Sequence, residues 1–170
     1  MSEQNQISHN SNTKSLLALT VVILVSCIQY NLHLNLKWPY TSDSLFYTHN
    51  LYQLQGNTYE QSRQKVLSNH PIPWKDTIQQ NIFRSKETYK KVYRVFTKRP
   101  LYPLVAYGLF YIVRNEESAF ILPVFFGYLG VIILNFILIK NTLGNFLATI
   151  SSFLLISFQP FLYCTTFIMT

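Results

Sequence analysis

The sequence predicts an all-α, multi-pass membrane protein with three to four transmembrane helices and a helical juxtamembrane loop between the first and second. Three observations support this prediction. Of the 170 residues, 49% are hydrophobic and only 12% are charged, which is few for a soluble domain. The hydrophobic residues are concentrated in long stretches that contain no charged residue. All of the excess positive charge lies between the first two of these stretches.

The lengths of the uncharged stretches set the number of helices. A helix rises about 1.5 Å per residue, so about 20 residues cross a hydrocarbon layer about 30 Å thick. Residues 15–36 and 118–139 contain 22 residues each, so each is long enough for one span. Residues 141–170 are longer, and Pro160 predicts a kink or an interface within them. Residues 100–113 number only 14, which leaves the fourth span open.

The segments predicted along the chain follow from these stretches. Residues 1–14 are rich in Ser, Asn and Gln without apolar periodicity, which predicts a disordered tail. Residues 15–36 form the first transmembrane helix, residues 37–99 the loop, and residues 100–170 the second to fourth transmembrane helices. The sequence stops at Thr170 inside an apolar stretch without a basic anchor, so we expect further membrane helices to follow.

The loop begins with two predicted short helices. Ser42 or Asp43 can cap the first of them, and Gly56 is a typical stop signal. Thr58 and Gln61 match the S/T-x-x-E/Q capping box, which predicts a second short helix behind them. Both helices are therefore expected to be defined by local capping interactions.

The rest of the loop predicts a basic amphipathic helix and an anionic partner. Residues 74–96 place apolar side chains at helical spacing opposite basic ones, a pattern suited to a membrane surface. Residues 37–99 contain eleven Lys or Arg against four Asp or Glu. This charge favours lipid head groups or a phosphate-bearing substrate, and no nucleic-acid motif is present. His49 and His70 lack ligand-like spacing, so no metal site is expected.

Two short motifs at the ends of the loop carry a resemblance to a known family. Asp43 and Tyr47 form an Asp-x-x-x-Tyr element just after the first span, and Lys98-Arg99-Pro100 opens the next apolar stretch. In this order the sequence resembles the N-terminal region of polyprenyl-phosphate-sugar-dependent membrane glycosyltransferases of the GT-C class, such as protein mannosyltransferases and aminoarabinose transferases.

The resemblance implies a function and a site. Asp43 would be the catalytic acidic residue, acting as general base on the acceptor, while Lys98 and Arg99 would bind the lipid phosphate and Tyr47 the sugar or the carboxylate. The donor would be a lipid-phosphate-linked sugar, with no further cofactor evident. The N-terminus would be cytoplasmic and residues 37–99 extracytoplasmic, in the plasma or cell inner membrane. The chain alone is expected to be inactive without the helices that follow it.

Other interpretations of the same residues remain open at this stage. Asp43 can serve only as a helix cap, Arg99 only as an interfacial anchor, and Tyr47 only in loop packing. The chain as a whole can instead be a non-enzymatic membrane protein, either part of a transporter or a protein that binds anionic lipids through its basic helix. The many basic residues before residue 100 also conflict with an extracytoplasmic loop under the positive-inside rule.

Overall fold

The computed structural model describes residues 3–35, 41–70 and 77–165, without the side chains of residues 3–12, 42 and 77–79. Throughout these residues the regular elements are α-helices, which confirms the all-α prediction. They are α1 (Glu3–Asn35), α2 (Ser42–Leu54), α3 (Tyr59–Asn69), α4 (Thr77–Arg84), α5 (Lys86–Phe96), α6 (Leu101–Val113), α7 (Glu116–Leu143), α8 (Asn145–Ser157) and α9 (Gln159–Thr165). They form two compact units, which we call the membrane unit (helices before Trp38 and after Val124) and the loop unit (helices between them).

The membrane unit contains the helices that are long and apolar enough to cross a bilayer. Residues Thr13–Asn35 of α1 and all 28 residues of α7 meet this requirement. The helices α8 and α9 are bent by 64° at their junction and give a third span if the pair is counted as one. The multi-pass class is therefore confirmed, with two or three spans by length among the described residues.

The first helix starts earlier than the sequence predicts. Its described backbone is helical from Glu3, whereas residues 1–14 were expected to form a disordered tail. Extending an existing helix adds one hydrogen bond for each residue fixed, and it avoids the cost of a new nucleus. A polar segment that adjoins a strong apolar helix can therefore continue it.

Helices α1 and α7 run antiparallel within the membrane unit. Near the end of α1, the Tyr30 ring lies 5.0 Å from the ring of Phe125 and 5.2 Å from that of Tyr128. Both of these residues belong to the first half of α7. Near the start of the apolar part of α1, Leu16 borders a small cavity together with Phe136 from the second half of α7. The end of α1 and the beginning of α7 consequently lie at the same side.

Helix α6 is the candidate for the predicted second transmembrane helix. Its 13 residues rise only about 20 Å, which is less than a hydrocarbon layer of about 30 Å. If α1 and α7 both cross a bilayer in opposite directions, the segment between them crosses it an even number of times. We therefore expect α6 not to cross alone, and labelling decides the span predicted over residues 100–113.

Cysteine labelling tests this topology. After Cys27 and Cys164 are replaced by Ser, single cysteines are placed at the exposed positions Gln64, Glu117 and Asn141. We expect a membrane-impermeant maleimide to label positions 64 and 117 from one side and position 141 from the other. Labelling of positions 64 and 117 from opposite sides would mean that α6 crosses the bilayer.

Aromatic side chains build the core of the loop unit around α2. The ring of Phe46 stacks on Phe83 at 5.2 Å and on Phe96 at 4.8 Å, and it lies 5.0 Å from Tyr89. Phe46 is 1% exposed. Packed rings of this kind add to the stability that their buried area supplies. The core therefore connects α2 with the ends of α4 and α5.

The cap of α2 differs from the prediction. The N-cap is Thr41, and neither Ser42 nor Asp43 holds this position. The Thr41 hydroxyl oxygen accepts from the backbone N–H of Ser44 at 3.3 Å, and the Ser44 hydroxyl oxygen accepts from the backbone N–H of Thr41 at 3.0 Å. Serine at the third helical position thus completes a capping box that usually contains Glu or Gln there.

The second predicted cap and the predicted stop are both confirmed. The Thr58 hydroxyl oxygen accepts from the N–H of Gln61 at 3.3 Å, and the Gln61 side-chain oxygen accepts from the N–H of Thr58 at 2.9 Å. Gly56 follows the end of α2 with a φ of 91°, in the left-handed region that favours glycine. Local sequence signals therefore define the connection between α2 and α3.

The predicted basic amphipathic helix over residues 74–96 is two helices, and its apolar side is buried in protein. Ser85 ends α4 and caps α5, where its hydroxyl oxygen accepts from the N–H of Thr88 at 3.3 Å. Phe83, Tyr89 and Phe96 lie in the core of the loop unit. The start of the predicted helix, before Thr77, lies outside the described residues. The apolar stripe that suggested a membrane surface is thus used to pack against α2.

Candidate functional site

A cavity of about 490 Å³ in the loop unit contains three of the four site residues predicted from the sequence. Tyr47 from α2, Lys98 and Arg99 from the turn before α6, and Tyr102 from α6 border it, with Pro123 of α7. We call it the cationic cavity. Residues from distant parts of the sequence meet here, which makes it the candidate functional site.

The turn between α5 and α6 positions the two basic residues. The backbone N–H of Thr97 donates to the carbonyl of Tyr93 at 3.1 Å, and that of Arg99 donates to the carbonyl of Phe96 at 3.1 Å. These bonds end α5 in a tight turn, after which Pro100 leads into α6. The side chains of Lys98 and Arg99 are exposed at this turn. They therefore present two positive charges at the mouth of the cavity.

The beginning of α6 adds to the positive potential of the cavity. Pro100 occupies the N-cap position and makes no side-chain cap hydrogen bond. The first backbone N–H groups of a helix have no partner inside the helix, and the helix dipole makes this end partly positive. Leu101 and Tyr102, the first two residues of α6, both border the cavity. The side-chain charges and the helix end therefore favour the same kind of ligand, an anion.

Tyr47 is held rigidly beside these charges. It is 4% exposed, and its ring meets the edges of Phe96 at 5.4 Å and Tyr102 at 5.5 Å. Tyr47 is therefore a packing residue as well as part of the cavity wall. The two interpretations of this residue are compatible, because one face of a packed ring can still border a ligand.

Asp43 lies one helical turn before Tyr47 on α2. Four residues correspond to a rise of about 6 Å, and side chains at this spacing lie on the same face of a helix. Asp43 is half-buried in the first turn, where the helix dipole favours a carboxylate. Because Thr41 already caps α2, the interpretation of Asp43 as the helix cap is wrong. Asp43 is not among the residues that border the cavity, and its carboxylate remains a candidate for chemistry through its position one turn from Tyr47.

Glu116 is the centre of a cluster of polar side chains that the sequence analysis did not predict. The Tyr52 hydroxyl donates to Glu116 Oε2 at 2.6 Å, and His70 Nε2 lies 3.8 Å from the same oxygen. The side-chain amide of Asn69 donates to the Tyr52 oxygen at 3.2 Å. Burial, and then the hydrogen bond to Glu116, raise the pKa of Tyr52 above its usual value, so it remains a donor at neutral pH. The cluster ties the first residue of α7 to α2 and to the end of α3.

Removing the Tyr52 hydroxyl tests the strength of this cluster. We expect Tyr52→Phe to lower the free energy of unfolding by about 1.5–3 kcal/mol, because it removes a hydrogen bond to a half-buried carboxylate. Tyr111→Phe is the matched control, because Tyr111 is 64% exposed and its hydroxyl meets only Tyr107 among the described contacts. The control is expected to change stability by less than about 0.5 kcal/mol. Unfolding in detergent measures both, and equal losses would contradict the assignment.

A second polar side chain, His49, is fully buried among aromatic rings. Its Nδ1 lies 2.9 Å from the Tyr89 hydroxyl, and its ring lies 4.2 Å from that of Tyr93 and 4.8 Å from that of Tyr59. Burial, followed by the nearby Arg63 charge, lowers the pKa of His49 to about 4. The imidazole is therefore neutral at physiological pH. His49 is therefore a core residue.

Comparisons with known proteins found no relative for this chain. No family model matches it, and neither does any curated protein or solved structure. The candidate site therefore depends on the geometry of the loop unit and on the chemistry of its residues.

Proposed function

We propose that this chain is part of a membrane glycosyltransferase that transfers a sugar from a polyprenyl phosphate carrier to an acceptor. The observation that carries the proposal is the meeting of Tyr47, Lys98 and Arg99 around one cavity, with Asp43 one turn earlier on the same helix as Tyr47. A catalytic carboxylate and a phosphate-binding pair are the two groups that this reaction requires.

The positive groups suit the leaving phosphate. When the bond between the anomeric carbon and the phosphate oxygen breaks, negative charge develops on the carrier phosphate. Arg99 and Lys98 can stabilise that charge by charge-assisted hydrogen bonds, and the positive end of α6 adds to the effect. A guanidinium also matches two phosphate oxygens in one plane. These interactions strengthen as the reaction proceeds, which is what lowers the barrier.

The apolar surface of α6 suits the lipid part of the carrier. Leu101 is 73% exposed and Val105 is 41% exposed, and both border the cationic cavity. A carrier whose phosphate lies at Arg99 can therefore place its first isoprene units along α6. A cationic head site joined to an apolar helix face fits an anionic lipid better than it fits a soluble anion.

Asp43 is the proposed general base. Its carboxylate would accept the proton of the acceptor nucleophile as that atom attacks the anomeric carbon of the sugar. The sugar then passes to the acceptor, and the polyprenyl phosphate leaves with the bonding electron pair. Tyr47, which borders the cavity with Lys98 and Arg99, would orient the sugar through its hydroxyl group.

The topology supports a location for the site. Lys14 precedes the apolar part of α1 and Lys140 lies near the end of α7, so each adjoins the end of its span that is not connected to the loop, and we take these ends as one side. We assign that side to the cytoplasm and residues 37–99 to the extracytoplasmic side of the plasma or cell inner membrane. The positive-inside rule predicts orientation poorly for a loop of this length. The basic residues of the loop can also interact with an anionic carrier.

The non-enzymatic alternative is part of a transporter or a protein that binds anionic lipids through its basic helix. Phe83, Tyr89 and Phe96 from the apolar side of that helix lie in the protein core. Its basic residues remain at the surface. They favour anionic partners under either interpretation and therefore do not distinguish the two.

Donor binding tests the proposal directly. The chain is placed in nanodiscs made of neutral lipid and titrated with radiolabelled polyprenyl phosphate glucose, mannose or aminoarabinose, and with UDP-glucose as a soluble donor. We expect saturable binding of at least one lipid-linked sugar, a preference over UDP-glucose, and a loss of about tenfold or more in affinity with Arg99→Gln. Binding that is unaffected by Arg99→Gln, or a preference for UDP-glucose, would contradict the proposal.

A further inference from the structure

A second cavity, of about 420 Å³, lies in the loop unit between α2, the end of α5 and the start of α6. Pro100 borders both cavities. The polar groups around the second cavity are Asn50 and Gln53 from α2, Tyr93 from α5 and Thr97 from the turn. We call it the neutral cavity, because none of the described residues that border it is charged.

The absence of charge in this lining selects the kind of ligand. An ion that entered the neutral cavity would lose water without gaining an opposite charge, which is costly. Two amides, a phenol and an aliphatic hydroxyl offer both donors and acceptors to uncharged polar groups. The cationic cavity, with Lys98 and Arg99, has the opposite preference. The two cavities are therefore suited to different chemical groups.

The polar groups of the neutral cavity include more hydrogen-bond acceptors than the Tyr93 hydroxyl can satisfy. The Tyr93 hydroxyl contacts both the Asn50 Oδ1 and the Gln53 Oε1 atoms. One hydroxyl proton can serve only one of these oxygens at a time, so the other amide oxygen can accept from a ligand. Burial, followed by the nearby Tyr59, raises the pKa of Tyr93 to about 12, so the hydroxyl keeps its proton at neutral pH. A ligand with several hydroxyl donors satisfies this arrangement.

Part of the wall of the neutral cavity is apolar and exposed to solvent. Leu54 is 40% exposed and Leu104 is 53% exposed, and both border the cavity. Aliphatic side chains beside amides suit a sugar, whose ring has C–H groups as well as hydroxyls, and they also suit a short alkyl aglycone. The same wall would contribute little to binding a strongly hydrated polar solute.

We propose that the neutral cavity is a binding site for an uncharged glycoside, whose sugar hydroxyls bond to Asn50 and Gln53 while its apolar part contacts Leu104. This site is distinct from the cationic cavity, and its existence does not depend on the proposed sugar transfer. It gives the loop unit a place for a neutral sugar beside a place for an anionic lipid.

Ligand-observed NMR with a pair of matched probes tests the proposal. The full chain in nanodiscs is mixed with hexyl β-D-glucopyranoside or with hexyl phosphate, which share the alkyl chain and differ in the head group. We expect saturation transfer to the sugar ring protons of the glucoside above the level seen with empty nanodiscs. No excess over empty nanodiscs would overturn the proposal.

Two leucine substitutions, three residues apart on α6, provide the matched variants. Leu104→Trp fills the neutral cavity, whereas Leu101→Trp places the same ring at the cationic cavity. Both leucines are exposed, so neither change disturbs the core. We expect Leu104→Trp to weaken glucoside binding about tenfold or more and Leu101→Trp to leave it unchanged. Equal glucoside binding by the two variants would overturn the proposal.

A substitution of a polar lining residue serves as a second test if Leu104→Trp lowers the thermal unfolding temperature. Gln53→Leu removes one amide oxygen and keeps the size of the side chain, and it is expected to weaken glucoside binding by up to about tenfold. Hexyl phosphate binding by the same variant is expected to be unchanged. A Gln53→Leu variant that is folded and binds the glucoside normally would contradict the proposed hydrogen bonds. Failure of hexyl phosphate to bind the wild-type chain counts only against the cationic site.

Discussion

Asp43→Asn is expected to lower the rate of sugar transfer by the complete protein about 10²–10⁴-fold, the usual contribution of a general base. Asparagine has nearly the same shape as aspartate but cannot accept the acceptor's proton. Helix α2 should keep its start, because Thr41 and Ser44 form its capping box. Donor affinity should also be retained, because the proposed phosphate contacts come from Lys98 and Arg99.

The measurement is the release of polyprenyl phosphate and the appearance of glycosylated acceptor, with the donor that binds most tightly. Glu60→Gln is the control, because Glu60 is an exposed acid of the same loop that pairs with Lys86 at 2.8 Å. We expect this control to transfer sugar at the wild-type rate. Transfer by Asp43→Asn at the wild-type rate would remove Asp43 from the mechanism.

The second large effect is expected from Phe46→Ala, which should lower the free energy of unfolding by about 3–5 kcal/mol. Phe46 is buried and contacts the rings of Phe83, Tyr89 and Phe96, so its removal leaves a cavity at the centre of the loop unit. Phe96 also supports Tyr47. A loss of packing here should therefore weaken donor binding as well as stability.

Unfolding in detergent, followed by circular dichroism, measures this change. Val95→Ala is the control, because Val95 is 54% exposed and lies beside Phe96 in the sequence. We expect the control to change stability by less than about 0.5 kcal/mol. A loss of under about 1 kcal/mol for Phe46→Ala would mean that the aromatic core does not hold the loop unit together.

The membrane class could be predicted from the sequence because it depends on local properties. The lengths of residues 15–36 and 118–139 fix two spans without reference to any neighbour. The Thr58–Gln61 capping box is equally local. The packing of α6 is not local, because the ring of Tyr102 meets that of Tyr47 on the distant helix α2.

The amphipathic segment shows why periodicity alone did not identify its partner. A stripe of apolar residues reports that one face is buried, but a membrane and a protein core bury it equally well. Two details decided the outcome: Ser85 interrupts the helix as a cap, and Phe46 offers a complementary ring for Phe83 and Phe96. Neither detail can be weighed until the distant helix α2 is in place.

The candidate site was predicted in part. Asp43, Tyr47 and the pair at residues 98–99 came from motifs at either end of the loop, and the cationic cavity brings the last three together. The link between Tyr52 and Glu116 joins residues far apart in the sequence, with no motif to mark it. The neutral cavity likewise combines ordinary amides with a tyrosine of another helix, so its chemistry appears only in the fold.

Photo-crosslinking of the lipid carrier is the most direct test of the central claim that the cationic cavity holds a polyprenyl phosphate. The probe is a polyprenyl phosphate with a diazirine on its first isoprene unit, and the labelled residues are mapped by mass spectrometry. We predict labelling between Thr97 and Val105, competed by unlabelled polyprenyl phosphate and lost in Arg99→Gln. Labelling confined to the membrane unit, or labelling that Arg99→Gln leaves unchanged, would contradict the account.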